Sequence, residues 1–183
     1  MPDLTGLRVA VIATDGFEEA ELTEPVRALK EAGARPEVIS LKPGKIQAFK
    51  HQDKSTQVDV DRTLDEAGPN EYDAVVLPGG ALNADSMRVE PKVQQFLKSA
   101  QQQGKPFAAI CHAPWELISA GLAQGRTMTS YYTIQDDIRN AGATWVDKEV
   151  VVDGNLVTSR QPSDLPAFNR EMCELFARTP AAR

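Results

Sequence analysis

Histidine is nearly absent from this chain of 183 residues, which holds only His51 and His112. Cysteine is equally scarce, represented by Cys111 and Cys173. Zinc sites need three or four ligands, and no second histidine stands at ligand spacing, so neither a metal nor any other cofactor is expected. No apolar run approaches the ~18 residues of a membrane span. Residues 1–6 carry no basic patch and no long apolar stretch, which argues against a signal peptide and for the cytoplasm. In that reducing compartment the two cysteines read as free thiols. Positive charge is also in deficit: 20 Lys and Arg against 26 Asp and Glu give a net charge of -6 and a pI near 5.0. Phosphate backbones are held by clustered cations, so nucleic acid is not an expected partner.

What remains is an ordinary globular composition, 42% hydrophobic and 25% charged. The length suits one domain, expected over residues 1–178 with a frayed tail at 179–183. Strand and helix patterns alternate. Short apolar runs at 7–13, 37–41, 74–77 and 107–110 read as buried strands. Helical spacing covers 18–33, 91–103, 114–120, 133–140 and 165–177, with Gly33 and Gly142 beyond two of the ends. Residues 46–49 and 57–60 alternate like a small exposed hairpin. A second hairpin is expected from 145–152 and 156–159 around Asp153-Gly154-Asn155. The alternation predicts an α/β three-layer sandwich with a mainly parallel central sheet. Ligands bind such sheets beyond the strands' C-terminal ends. Three chemically suggestive segments fall there: the loop before Glu18, Pro78-Gly79-Gly80, and Cys111-His112.

Cys111 closes an apolar run and precedes a helix opened by Pro114. Two readings stand: a nucleophile on a strand-to-helix elbow, or a small buried hydrophobe. The first expects a thiol pKa drawn from about 8.5 into the range of roughly 3.5–7.5. His112 follows as base, acid or orienting partner, or as a residue that solvates the helix start. With two histidines in 183 residues, this adjacency is a coincidence of roughly 1%. Cys173 sits in an amphipathic helix and reads as core, and His51 reads as a solvated loop residue. Glu18 either favours a helix N-terminus by its charge or turns inward as a protonated carboxyl beside the sulfur. Gly79 and Gly80 form either a tight turn or backbone donors for an oxyanion. Asp85 and Arg88, three apart, suit a surface ion pair.

Together these segments resemble the PfpI-type family of the class I glutamine-amidotransferase-like superfamily, whose sheet is flavodoxin-like. The matching pieces are Asp15-Gly16-Phe17-Glu18-Glu19-Ala20-Glu21-Leu22, Leu77-Pro78-Gly79-Gly80 and Ala109-Ile110-Cys111-His112-Ala113-Pro114. Others are Thr129-Ser130-Tyr131, the stretches at 141–147 and 157–160, and Pro162-Ser163-Asp164-Leu165-Pro166-Ala167-Phe168. The resemblance implies a cysteine-dependent, cofactor-free stress enzyme, acting on glyoxal or methylglyoxal or on their protein adducts. The alternatives it implies are an intracellular peptidase or amidase and a redox-responsive chaperone. It casts Cys111 as nucleophile, Glu18 as the adjacent protonated carboxyl, and Gly80 with the His112 N–H as oxyanion donors. It pairs His112 with an acid from a neighbouring subunit, best matched by Asp85, and so implies a homodimer or larger homo-oligomer. Two departures stand out: Ala113 replaces a common glycine and could tighten the elbow, and Gln161 replaces an occasional histidine.

Overall fold

The computed structural model describes residues 1–179, so the expected tail lies outside the described residues apart from Thr179. Twelve strands and six α-helices follow in order: β1 Arg8–Ile12, β2 Phe17–Glu18, α1 Glu19–Glu31, β3 Arg35–Ser40, β4 Lys45–Lys50, β5 Asp53–Asp59 and β6 Arg62–Thr63. Then come β7 Ala74–Leu77, α2 Ala81–Arg88, α3 Pro91–Gln102, β8 Phe107–Ile110, α4 Pro114–Ser119, β9 Thr127–Met128 and α5 Gln135–Asn140. The chain closes with β10 Thr144–Trp145, β11 Val151–Asp153, β12 Leu156–Ser159 and α6 Leu165–Ala177. Seven strands form one sheet in the order β11-β12-β8-β7-β1-β3-β6. Every pairing in it is parallel except β11 with β12.

Side chains alternate across a strand, and the central strands use both faces. Val9 and Val11 of β1 join Val76, Ala108 and Ile110 in a core layer with Leu29, Phe168 and Phe176. Ala10 and Ile12 of the same strand join Val75, Leu77 and Ala109 on the opposite face, with Val93, Leu97 and Leu117. That double burial is why these segments read as continuous apolar runs. It also makes the three layers: α1 and α6 on one side, α3 and α4 on the other.

Three expectations are corrected. The stretch 145–152 is not one strand: Trp145 pairs beside β9, and pairing resumes only at Val151. The helix start is shifted, because Phe17 and Glu18 pair with Ala48 and Phe49 of β4 before α1 begins at Glu19. Residues 81–88 form α2, a helix that the weak apolar spacing there did not announce. Among the described residues no helix is long and apolar enough to cross a membrane.

Candidate functional site

Cys111 occupies the step between β8 and α4 in a left-handed backbone (φ 64), rare for a residue with a side chain. Its N–H donates to the Ser159 carbonyl at 3.0 Å, and its carbonyl accepts from the Tyr131 N–H at 2.8 Å. Neighbouring strands thus hold a conformation that costs on the order of 1–3 kcal/mol. Ala113 lies in ordinary helical backbone (φ −56), so it does not tighten the elbow. The sulfur lies 3.1 Å from Nδ1 of His112, and the residue is 7% exposed.

The glycine turn meets this elbow from β7. Gly80 has φ 93, and a side chain at Gly79 would collide with Glu21 and with the Cβ of Cys111. Asn83, fully buried on α2, holds the turn in place. Its Nδ2 donates to the carbonyls of Pro78 and Gly79, both at 3.1 Å, and its Oδ1 accepts from Thr14 N–H at 2.8 Å. The loops after β1 and β7 are therefore tied through one amide.

The carboxyl beside the sulfur is Glu21, and this corrects the expectation for Glu18. Glu21 is 0% exposed and faces Cys111 and the Gly79 backbone, yet neither of its oxygens has a well-formed hydrogen bond among the described residues. Burial, and then the charge of Glu18, push its pKa well above the usual carboxylate value. Glu18 ends β2 and faces elsewhere, toward the tip of the β4–β5 hairpin. Its two oxygens accept the His51 N–H at 3.0 and 3.2 Å. His51, expected in solvent, stands in a left-handed backbone (φ 58) with Nδ1 4.0 Å from Glu18.

The expected low thiol pKa is also not what surrounds Cys111. Burial pushes the thiol up, and negative charge on Glu21 would add to that. Only the Gly80 and His112 N–H groups pull against these. A fully buried carboxyl lacking donors disfavours its charged form, and the same burial opposes two negative charges in the Glu21–Cys111 pair. His112 Nδ1 lies against Sγ, and burial lowers the pKa of its imidazole, which favours the neutral ring. The ring is fixed by aromatic neighbours: Tyr131 stacks on it at 4.9 Å and Trp115 meets it edge-on at 5.2 Å. Trp115 is anchored in turn by Asp137 at 2.8 Å and by Arg88 over its face.

These groups share a cleft of about 800 Å³, lined by Glu18, Glu21, His51, Gly80, Cys111 and His112 among others. Asp85 does not line it; it lies exposed on α2. Arg88 does not pair with Asp85, as expected for a surface ion pair, but donates to Ser119 at 2.9 Å. Among the described residues no three His, Cys, Asp or Glu side chains gather as metal ligands would.

The profile of the DJ-1/PfpI family matches residues 7–175. The chain is 47% identical over 170 residues to the protein named deglycase TK1284 of Thermococcus kodakarensis, covering 93% of this chain and 99% of that one. It is 44% identical over 172 residues to general stress protein 18 of Bacillus subtilis, covering 93% and 98%. Among solved structures, Drosophila melanogaster DJ-1beta superposes with a TM-score of 0.85 at 32% identity, over 97% of this chain and 91% of that one.

Proposed function

The chain belongs to the DJ-1/PfpI family, and from that premise we propose that it is a cysteine-dependent deglycase or glyoxalase. Its substrates are glyoxal- or methylglyoxal-type carbonyls, free or carried on another molecule. The reading rests on one observation above all: Cys111 Sγ sits on a left-handed elbow, 3.1 Å from the His112 imidazole and beside the fully buried carboxyl of Glu21. The deglycase name of a relative that matches 93% of the chain agrees with it.

The chemistry needs no outside oxidant. Sulfur adds to the aldehyde carbon, a C–S bond forms, and the thiol proton passes through His112 to the carbonyl oxygen. The Gly80 and His112 N–H groups steady the oxyanion as it forms. The hydrogen on the sulfur-bearing carbon then leaves as a proton and returns to the neighbouring carbon, through an enediolate. Oxidation at one carbon balances reduction at the next, giving a thioester of a 2-hydroxy acid. Water cleaves the C–S bond and the hydroxy acid leaves. Where the carbonyl arrives on an amine or thiol, that carrier is released. Glu21 is the acid beside the sulfur throughout. A cysteine only 7% exposed suits a small aldehyde better than a peptide backbone, which requires an open groove.

Two further statements belong to the same proposal. The protein works in the cytoplasm. It also works as a homodimer or larger homo-oligomer in which Asp85 of one protomer meets His112 of its partner. In favour, no side chain among the described residues accepts from Nε2 of His112, and exposed Leu82 and Val89 flank Asp85 on α2. Lactate formation from methylglyoxal, compared between wild type and Cys111→Ala, tests the reaction. Wild type forms lactate and the variant does not; equal rates, or none in either protein, overturn the proposal.

A further inference from the structure

The lining of the Cys111 cleft contains no lysine and no arginine among the described residues. Three cations near the lining residues in sequence are engaged outside it. Lys50 faces Glu19 at 3.4 Å, Arg160 is held by Asp147 and Asp164 at 2.9 Å each, and Arg88 lies on Ser119 and Trp115. Glu21 is fully buried, which disfavours its charged form, and leaves Glu18 as the accessible carboxylate of the lining. The tip of the β4–β5 hairpin holds that charge in position, through the His51 N–H on both carboxylate oxygens. The side chain is 14% exposed, so its field is poorly screened by water.

The size of the cleft adds a second constraint. Methylglyoxal, with five heavy atoms, fills on the order of 100 Å³ at interior packing density, against about 800 Å³ available. Most of the space is left for whatever carries the carbonyl. That outer space is walled by Phe49, His51 and Gln52 on one side and by Gln161 and Ser163 on the other. It offers a phenyl ring, an imidazole, amides and a hydroxyl but no lysine or arginine to receive a phosphate or carboxylate.

We propose that Glu18 is a specificity-determining residue, which makes the cleft select α-oxoaldehydes carried on basic groups, amine or guanidine, over those carried on phosphate or carboxylate. The substrate identity rests on the function proposed above; the charge selection does not, and can be measured without turnover. The experiment is alkylation of Cys111 in the full-length protein, followed by mass spectrometry at that residue. The reagents are 2-bromoethylamine (cationic), iodoacetamide (neutral) and iodoacetate (anionic), each rate being divided by its rate on N-acetylcysteine amide.

The normalised rates are expected to fall in the order cation, neutral, anion. Iodoacetate should be disfavoured against iodoacetamide by roughly three- to tenfold, as for one like charge in a partly screened cleft. Glu18→Gln should shrink that gap to less than about twofold, since only the charge is removed. Should that variant fail to fold, Ser163→Lys adds a cation to the lining that offsets the Glu18 charge and should likewise shrink the gap. Equal normalised rates for the three reagents in wild type overturn the inference. So does a gap that persists in Glu18→Gln, which would assign the selection to Glu21 or to the sulfur. If charge selection is found in a protein that forms no lactate, the reaction is wrong and the charge filter stands; lactate formation without selection means the reverse.

Discussion

Cys111 and Cys173 differ less in depth than in surroundings, since both are buried. Cys173 lies in α6, fully enclosed, and burial pushes its thiol up to about 11. Cys111 has an imidazole at 3.1 Å and opens onto the cleft. Under mild peroxide Cys111 should therefore oxidise well before Cys173, as peptide mass spectrometry over a time course will show; equal rates would contradict the site as described. Asn83 makes a different prediction. Replacing it with Ala removes three hydrogen bonds and leaves the Thr14 N–H and two carbonyls without their partner. The cost should be about 1–3 kcal/mol in urea denaturation, with kcat falling roughly tenfold as the Gly79-Gly80 donors drift. Neither Asn83 nor Glu21 was legible in the sequence. Acids at 18, 19 and 21 crowd one helix start, and which of them turns inward depends on where the helix begins. Because Phe17 and Glu18 are spent on pairing with β4, the inward position passes from Glu18 to Glu21. Cys111, His112 and the twin glycines were legible because each stands where an apolar run ends, and strand ends are where this architecture gathers its groups.

Elements that bury one continuous stripe or run could be read from the sequence, and those that bury a polar side chain could not. β7, β8 and α6 carry unbroken apolar patterns and lie where expected. α2 buries Asn83, Ala84 and Met87, a helical spacing disguised by an amide and a methyl group. Pairings two residues long, β2, β6, β9 and β10, hold too little pattern to reveal themselves. α4 conceals a polar residue of another kind. Glu116 is 0% exposed and neither oxygen has a partner among the described residues. Burial alone raises its pKa well above 4.5. The folded pKa exceeds the unfolded one, so the stability linked to this group is complete below about pH 4.5 and is lost as pH rises toward the folded value. Glu21 contributes with the same sign. Each such group adds a slope of about −1.4 kcal/mol per pH unit within its window. Glu116→Met, similar in volume and uncharged, should flatten the fall in unfolding free energy between pH 5 and 7 by up to that amount. Chemical denaturation across that range is the check, and an unaltered slope would mean that Glu116 ionises in place.

At the scale of the whole molecule, the cleft has one side unfinished. His112 gives Nδ1 to the sulfur, its faces are covered by Tyr131 and Trp115, and Nε2 meets no acceptor from its own chain among the described residues. Nearby, Leu82 and Asp85 of α2 and Val89 at its C-cap follow at intervals of three and four, as one face of a helix does. Leu82 is 62% and Val89 68% exposed. An apolar pair around a carboxylate is a costly surface to leave in water and a natural one to cover with a second copy, related by a twofold axis so that each protomer supplies an acid to the other. The architecture itself gives no such requirement, since both core layers close within one chain; assembly would serve the site rather than the fold. Two variants separate these roles. If Asp85 orients His112 of the partner as proposed, Asp85→Asn should leave the oligomer intact in sedimentation and lower kcat roughly tenfold or more. Val89→Asp should place like charges against the carboxylate and yield monomers that keep wild-type circular dichroism but share the low kcat. A monomeric wild type with full activity would show instead that His112 works without a partner and that the face on α2 has another use.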